Sequence, residues 1–283
     1  MGSATVGYAL LHLLVFMCAC GSGAREISSK LGEADDVLRL HGDEAHPASH
    51  MAHMDPSVLV FFIPKDLKLG SLIPIHFPKR DPSSSPKFIP RETADMIPFS
   101  SAKLHYLLSY FKFSPGSPQA TAMGDTLRQC EARAIESETK FCATSLESLL
   151  DFTRGALGSD AHIKVLATKH LSKSDTRFQK YAVSDEPRAV PARRVVGCHT
   201  MPYPYAVFYC HTQESETQVF EVSLKGENGD LVEAVAVCHM DTSLWSPDHV
   251  SFKILGVHPG SSPVCHFFPS DHLVWVSSTS PGN

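Results

Sequence analysis

The sequence predicts an α+β fold in which helices fill the first half of a C-terminal domain and an antiparallel β-sheet, stapled by disulfides, fills the second. Three observations predict it. Helical periodicity is confined to residues 101–158, later segments are short β-branched or aromatic runs between turn residues, and four of the eight cysteines lie among those runs. Helices that precede a series of strands are typical of α+β proteins with antiparallel sheets.

The composition excludes several classes of protein. The chain has 283 residues, of which 43% are hydrophobic and 19% charged, so it can bury a core and is not disordered, collagenous or a coiled-coil rod. Its net charge of -5, with no basic cluster, indicates no nucleic-acid partner. A Gly-rich phosphate loop, a Gly-x-Ser-x-Gly elbow and a His-Glu-x-x-His motif are all missing from the sequence.

Residues 1–24 carry no charged side chain and contain an apolar run from Tyr8 to Cys20, followed by small residues up to Ala24. This pattern predicts a signal peptide over 1–24 and therefore a secreted protein. The usual positive charge before the apolar run is missing, and a membrane anchor is the alternative on the criterion of about 20 residues for a span. No later stretch is apolar and long enough, so we expect no membrane span in the mature chain and an oxidising compartment for its six cysteines.

Residues 25–56 are polar, acidic and rich in His, which predicts a mobile N-terminal segment. His-rich tracts bind Cu(II) or Zn(II) loosely, and the alternative is a solvated spacer whose histidines cluster by chance. Beyond it, β-like runs begin at Ser57 and Ser71, and residues 79–100 are expected to form an ordered surface loop. The histidines of the tract are His41, His46, His50 and His53.

Three helices are predicted next. The first is capped by Ser101 and ends before Pro115, the second covers about 120–136, and the third is capped by Ser145 and ends at Gly155 or Gly158. Every later segment is predicted as a strand, and Glu-Asn-Gly-Asp at 227–230 indicates a hairpin turn. The predicted strands cover residues 162–170, 178–184, 192–199, 205–211, 218–225, 231–239, 251–258 and 272–278.

The dipeptide Cys-His occurs four times, with 10, 26 and 25 residues between successive copies and eight more before Trp275. Adjacent side chains of a strand point to opposite faces of the sheet, so the Cys and the His of one dipeptide have separate roles. The pattern predicts cysteines paired on one face and histidines gathered around a metal ion on the other. The four candidate ligands are His199, His211, His239 and His266.

Copper is the metal that this set favours. The Cys-x-x-Cys spacing of structural zinc sites is missing, and imidazoles without thiolates suit Cu(II) best among the divalent ions. The alternative is that the histidines are buried partners of polar groups in the sheet and that the motif exists for its disulfides. The sequence places no convergent partner beside four further domain histidines, His76, His105, His249 and His272.

Six cysteines allow fifteen disulfide connectivities. Cys130 and Cys142 flank a turn expected between helices and can bridge each other. Cys198 and Cys210 lie symmetrically about Pro204, so a hairpin there would place them opposite one another. The pairing favoured on these grounds is Cys130–Cys142, Cys198–Cys210 and Cys238–Cys265.

The Cys-His spacing that ends at Trp275 resembles the signature of the plant BURP domain family. Five further stretches resemble the family, and together they extend over about residues 57–279, which we take as the domain. They are FFIPKDLKLG at 61–70, CATSLESLLDF at 142–152, YPYAVFYCH at 203–211, AVCHMDTSLW at 236–245 and PVCHFFPSDHLVWV at 263–276.

The resemblance implies one of two kinds of function. Some members are secreted cell-wall, seed, reproductive-tissue or stress-responsive proteins without known catalysis, with cell-wall components as expected partners. Others are copper-dependent peptide cyclases that crosslink Tyr or Trp of a core peptide, and in these the four Cys-His histidines would hold the metal. Residues 25–56 contain no Tyr and no Trp, which disfavours self-modification. We therefore expect a non-enzymatic apoplastic protein, with a cyclase acting on a separate peptide substrate as the alternative.

Overall fold

The protein is described from a computed structural model, over residues 61–77, 83, 85–159, 161–172, 176 and 178–278. The predicted signal peptide, the N-terminal His tract and the predicted strand residues 57–60 lie outside these residues. Within the described ranges, no helix combines the length and the apolar character that a bilayer crossing requires.

The described residues contain five α-helices and two short 3-10 helices, at Pro64–Asp66 and Ser101–Lys103. The predicted cap holds at the third helical segment, where Ser145 Oγ accepts the backbone N–H of Ser148 at 3.1 Å. Gly158, at a φ of 102°, follows the last residue of that helix. The helices are α1 (Arg91–Met96), α2 (Leu104–Tyr110), α3 (Pro118–Glu131), α4 (Leu146–Leu157) and α5 (Val250–Leu255).

Thirteen strands are formed by the described residues, and each pairing between them is antiparallel, which confirms the predicted fold class. Seven of the eight predicted strand segments are strands in the structure. The strands are β1 (Phe61–Phe62), β2 (Leu72–His76), β3 (Glu138–Ala143), β4 (His162–Leu166), β5 (Lys169–His170), β6 (Phe178–Val183), β7 (Arg188–Val190), β8 (Arg194–Met201), β9 (Val207–Gln213), β10 (Thr217–Gly226), β11 (Leu231–His239), β12 (Val264–Phe268) and β13 (Leu273–Ser278).

The strands form two sheets. Sheet 1 has the order β1-β12-β11-β10-β6-β2, with β5 also paired to β11 and β7 to β10. Sheet 2 has the order β3-β9-β8-β13-β4. The two sheets pack face to face, because buried side chains of both share one apolar cluster: Val219, Val235, Val237 and Phe268 of sheet 1 with Leu166, Val274 and Val276 of sheet 2.

Each sheet also buries its outer face. In sheet 1, β2 and β6 bring Ile73, Ile75 and Tyr181 into one cluster with Cys238 and Cys265. In sheet 2, α4 covers the face that carries the other two Cys-His cysteines, and its Leu149 and Leu157 are buried there. Because both faces of these sheets are buried, the strands that carry the Cys-His repeats are almost continuously apolar.

Several predictions about secondary structure are wrong. Residues 79–100, expected as a loop, include helix α1, and Ser101 lies inside a 3-10 helix and does not cap α2, whose N-cap residue is Lys103. Residues 251–258 were predicted as a strand but form most of α5 and the turn after it. Phe252 of this helix packs against Trp245. Gly256, at a φ of 64°, ends the helix. A short apolar run is compatible with either a strand or a buried helix, and packing decides between them. Strand β3 occupies a stretch predicted as a turn between helices, and β12, which carries the fourth Cys-His dipeptide, is a further strand outside the predicted set.

Candidate metal centre

Three disulfides hold the domain together. Cys198 of β8 lies directly opposite Cys210 of β9, and Cys238 of β11 directly opposite Cys265 of β12. The Cα–Cα distances of these pairs are 4.0 Å and 3.9 Å. The third disulfide joins Cys130 of α3 to Cys142 of β3. These are the pairings that the sequence favoured.

The register of the same strands places the histidines on the opposite face. His199 lies opposite Tyr209, and His211 lies opposite Gly197, so the two imidazoles are diagonal neighbours. In sheet 1, His239 lies opposite Val264 and His266 opposite Val237, which gives a second diagonal pair. Each of the two cross-strand disulfides therefore fixes one histidine pair on the face that meets the other sheet.

Face-to-face packing of the sheets closes these two pairs into a cluster, which we call the histidine ring. The ring centroids of His199 and His211 are 5.4 Å apart, and those of His239 and His266 are 5.7 Å apart. Between the sheets, the His199–His266 distance is 6.0 Å and the His211–His239 distance is 6.4 Å. All four side chains are between 4% and 6% exposed. The structure thus brings together the four histidines that the sequence singled out.

Coordination of one ion by all four imidazoles requires further side-chain rotation. His199 Nε2 and His211 Nε2 are 3.3 Å apart, close to the separation of about 3.3 Å expected for two nitrogens bound tetrahedrally at about 2.0–2.1 Å. In the described ranges, no group of three His, Cys, Asp or Glu side chains is close enough to hold an ion as it stands. Among the described residues, the ring therefore holds one pair of nitrogens at the separation expected of two ligands, and the imidazoles of His239 and His266 lie farther away.

The buried imidazoles of sheet 1 are neutral. Burial, with repulsion from neighbouring histidines, lowers the pKa of His266 to about 3 and that of His239 well below its ordinary value. A neutral imidazole retains the lone pair with which it coordinates a metal. At neutral pH, neither imidazole would have to be deprotonated from its cationic form before it binds a metal ion.

Local space and an unpaired nitrogen also fit an ion here. A Cβ built at Gly197 would lie 3.5 Å from His211 Nε2 and 3.7 Å from His199 Nε2, so glycine keeps that space clear. A cavity of about 10 Å³, roughly one water-sized group, is lined in part by Gly197, His211 and His239. His239 Nδ1 is buried and has no hydrogen-bond partner among the described residues. The residues present therefore fit a small cation.

Two further side chains contact the ring from outside: Glu138, which the sequence did not single out, and His272, for which no convergent partner was expected. Glu138 of β3, whose side chain is 2% exposed, places Oε1 3.0 Å from His211 Nδ1. Burial alone would raise the pKa of Glu138, but its interaction with His211, with smaller contributions from the N–H of Ile135 and from Lys140, lowers it. His272 Nδ1 lies 3.1 Å from His199 Nδ1. The only sequence signal for Glu138 was its place beside Cys142, on a strand that the sequence did not reveal.

The remaining histidines and Trp275 have other surroundings. His249 is buried beside Trp245, at a centroid distance of 4.6 Å, and its Nδ1 accepts the N–H of Ser251 at the start of α5. His105 is exposed on α2, and His76 lies on β2. Trp275 lies opposite Val196 and packs in the cluster of Cys198 and Cys210, on the face away from the histidine ring. Its place in the motif is explained by packing against the apolar cluster that contains this disulfide.

A groove of about 740 Å³ runs along sheet 2 beside α4. Its lining combines polar side chains, among them Ser137, Thr139 and Arg193, with apolar ones such as Phe152. It shares Val195, Thr212, Gln213 and Thr217 with the small cavity at the histidine ring. The groove is therefore the solvent-open space that adjoins the ring.

Comparison with known proteins gives consistent matches. A family model described as the BURP domain matches residues 60–277. The chain is 48% identical over 273 residues to the BURP domain-containing protein BNM2A of Brassica napus, covering 95% of this chain and 94% of that protein. It is 44% identical over 275 residues to BNM2C of the same species, covering 95% of each. It is 45% identical over 256 residues to the BURP domain protein USPL1 of Arabidopsis thaliana, covering 89% of each.

Proposed function

This chain belongs to the BURP domain family of plant proteins, and from that premise we propose that it is a secreted, non-enzymatic protein of the plant apoplast or cell wall that binds copper. The observation that carries the proposal is the convergence of His199, His211, His239 and His266 on the inner face of a disulfide-stapled sandwich. Development, seed and reproductive tissue, and stress response are the proposed settings.

The disulfides support the proposal through their placement. Because each cysteine of the two cross-strand disulfides precedes a histidine by one residue, both ends of every histidine pair are anchored by a covalent bond on the opposite face. Preorganised ligands lower the ordering cost that metal binding would otherwise carry. Disulfides of this kind also persist in secreted proteins and are rare in the cytosol.

The choice of copper follows from the donor atoms. All four donors are imidazole nitrogens, the cysteines are oxidised and therefore not thiolate ligands, and the affinity order of divalent ions peaks at Cu(II). When bound, copper would supply a redox-active Lewis-acid centre. The chain's own residues would hold it through four nitrogens in a site that excludes bulk water.

A non-catalytic role is favoured by the size of the space at the site. About 10 Å³ adjoins His211 and His239, which accommodates an ion or a water molecule but not the aromatic ring of a peptide substrate. In addition, residues 25–56 contain neither Tyr nor Trp as an acceptor for self-crosslinking.

A copper-dependent peptide cyclase that acts on a separate peptide is the second candidate. The groove of about 740 Å³ favours it, because the groove is open to solvent and meets the cavity of the histidine ring at Gln213. Gln213 is only partly exposed, and both polar atoms of its amide are buried without a hydrogen-bond partner among the described residues.

The experiment is metal analysis of the mature chain purified from a secretory host. We expect one Cu(II) per chain, lost when all four histidines are replaced by Ala, while the three disulfides remain intact by mass spectrometry. A folded chain that takes up no Cu(II) would end the metal proposal. Incubation with Cu(II), oxygen and Tyr- or Trp-containing peptides separates the two functions, since a loss of two mass units in the peptide supports the cyclase.

A further inference from the structure

The imidazoles of His199 and His211 are each contacted from outside at Nδ1 and face each other at Nε2. Glu138 Oε1 lies 3.0 Å from His211 Nδ1, and His272 Nδ1 lies 3.1 Å from His199 Nδ1. The two Nε2 atoms are 3.3 Å apart. The first two distances are those of ordinary hydrogen bonds, and the third is slightly longer. The outer contacts therefore determine which nitrogen of each inner imidazole carries its proton.

Glu138 fixes the direction of the whole series. Its ionised carboxylate accepts hydrogen bonds and donates none, and its other oxygen accepts the N–H of Ile135 at 3.3 Å. His211 must therefore carry its proton on Nδ1, which leaves the lone pair of Nε2 directed toward His199. Glu138 is opposite Gln213 and Lys140 is opposite His211, so the register of β3 on β9 places Glu138 diagonally from His211 on the same face.

We propose that Glu138 and His272 are positioning residues that set the tautomers of His211 and His199. In the metal-free chain, His199 donates Nε2–H to His211 Nε2, and His272 donates Nδ1–H to His199 Nδ1. This assignment gives each of the three contacts one donor and one acceptor, with one proton per imidazole. The functional role of these two residues rests on the proposed metal site, but the tautomers themselves can be tested in the metal-free protein.

A metal held through Nε2 of both inner imidazoles would leave each Nδ1 atom with an outer partner. For His211 that partner is Glu138 Oε1, which accepts Nδ1–H. For His199 it is His272 Nδ1, which would accept Nδ1–H from the other tautomer of His199. Asp271 lies beside His272, with Oδ1 3.9 Å from His272 Nε2, and its Oδ2 accepts a hydrogen bond from Thr200 Oγ1 at 2.8 Å.

The first test measures tautomers in the full mature chain without metal. Long-range 1H–15N NMR of protein labelled with 15N-histidine is expected to show His211 as the Nδ1–H tautomer and His199 as the Nε2–H tautomer. Glu138→Met, which removes the acceptor, should convert His211 to a mixture. Glu138→Gln retains an acceptor oxygen and should restore the Nδ1–H form. An unchanged His211 tautomer in Glu138→Met would overturn the proposal.

The second test measures the affinity of the same proteins for Cu(II) and, separately, for Zn(II). Loss of an outer partner of a ligating histidine typically lowers metal affinity about 10–100-fold. We expect that loss in Glu138→Met and His272→Phe, and a smaller one in Glu138→Gln. The control is Asp230→Asn, which weakens another buried carboxylate, bonded by Gln179 at the opposite end of β11, and should leave affinity unchanged.

The outcomes separate this inference from the proposed function. Wild-type protein that binds no metal contradicts the metal site, while the NMR result still decides the tautomers. Wild-type protein that binds metal, with Glu138→Met and His272→Phe binding equally well, contradicts the positioning roles. Because Glu138→Gln preserves the volume and one hydrogen bond of the side chain, it provides a folded comparison if the Met variant fails to fold.

Discussion

Replacing Gly197 by Ala tests whether an ion occupies the space between the two facing imidazoles. The added Cβ would lie 3.5 Å from His211 Nε2 and 3.7 Å from His199 Nε2, while every proposed ligand remains in place. It would also lie 3.2 Å from Phe268 Cζ, which is tighter than an ordinary contact. Overpacking of this kind costs about 1–3 kcal/mol of folding free energy.

The affinity of Gly197→Ala for Cu(II) should fall by more than its loss of folding stability explains. If the methyl group blocks approach to either nitrogen, the affinity for Cu(II) falls at least about tenfold, which corresponds to about 1.4 kcal/mol. Urea unfolding of the metal-free protein measures the stability cost, and titration with Cu(II) under fully folded conditions measures the affinity.

A matched glycine substitution provides the control. Gly155, within α4, has no atom within 4 Å of the position that an added Cβ would take, so Gly155→Ala should raise the free energy of unfolding by about 0.4–1 kcal/mol without changing metal affinity. Wild-type affinity in a folded Gly197→Ala protein would refute the reasoning, because it would show that the ion does not bind between His199 and His211.

Three further predictions concern stability. Replacing Cys198 and Cys210 by Ala should lower the free energy of unfolding by about 3 kcal/mol, because the disulfide closes a loop with a sequence separation of 12. Removing the β11–β12 disulfide, with a separation of 27, should lower it by about 3.5 kcal/mol. Chemical denaturation that shows no loss of stability in either variant would contradict this prediction. Ser145→Ala should cost about 1 kcal/mol through loss of the α4 cap, and an unchanged urea midpoint would exclude the cap. Burial lowers the pKa of His266 to about 3 and that of His249 to about 4, below the unfolded value of about 6.5. Because the unfolded chain then binds more protons, the stability of the metal-free protein should fall by up to about 1.4 kcal/mol per pH unit for each of these histidines as the pH decreases from about 6.5 to 4. A stability profile that is flat in that pH window would contradict this prediction.

The Cys-His repeats were the most informative part of the sequence because strand geometry acts on adjacent residues. Alternation places Cys198 and His199 on opposite faces whatever the rest of the chain does. The cross-strand partners then followed from the hairpin between β8 and β9, which is local in sequence. The convergence of the two histidine pairs was a hypothesis from chemistry, since it depends on the packing of two separate sheets.

Contacts between distant segments were not predictable from sequence. Glu138 meets His211 only because β3 pairs with β9, and a short polar strand between two helices has no periodic signal. The contact between His272 and His199 also joins distant segments, because His272 lies in the turn before β13 and His199 in β8. The helix α5 was missed for a related reason: tertiary packing of Phe252 against Trp245 overrides the β-like composition of the segment.

The most direct test of the central claim is electron paramagnetic resonance of the mature chain titrated with Cu(II). The histidine ring predicts one Cu(II) per chain with hyperfine coupling to several imidazole nitrogens, and loss of that spectrum when His199, His211, His239 and His266 are replaced together in a chain that keeps its disulfides. The same spectrum in the fourfold variant, or no bound Cu(II) in the wild type, would contradict the account.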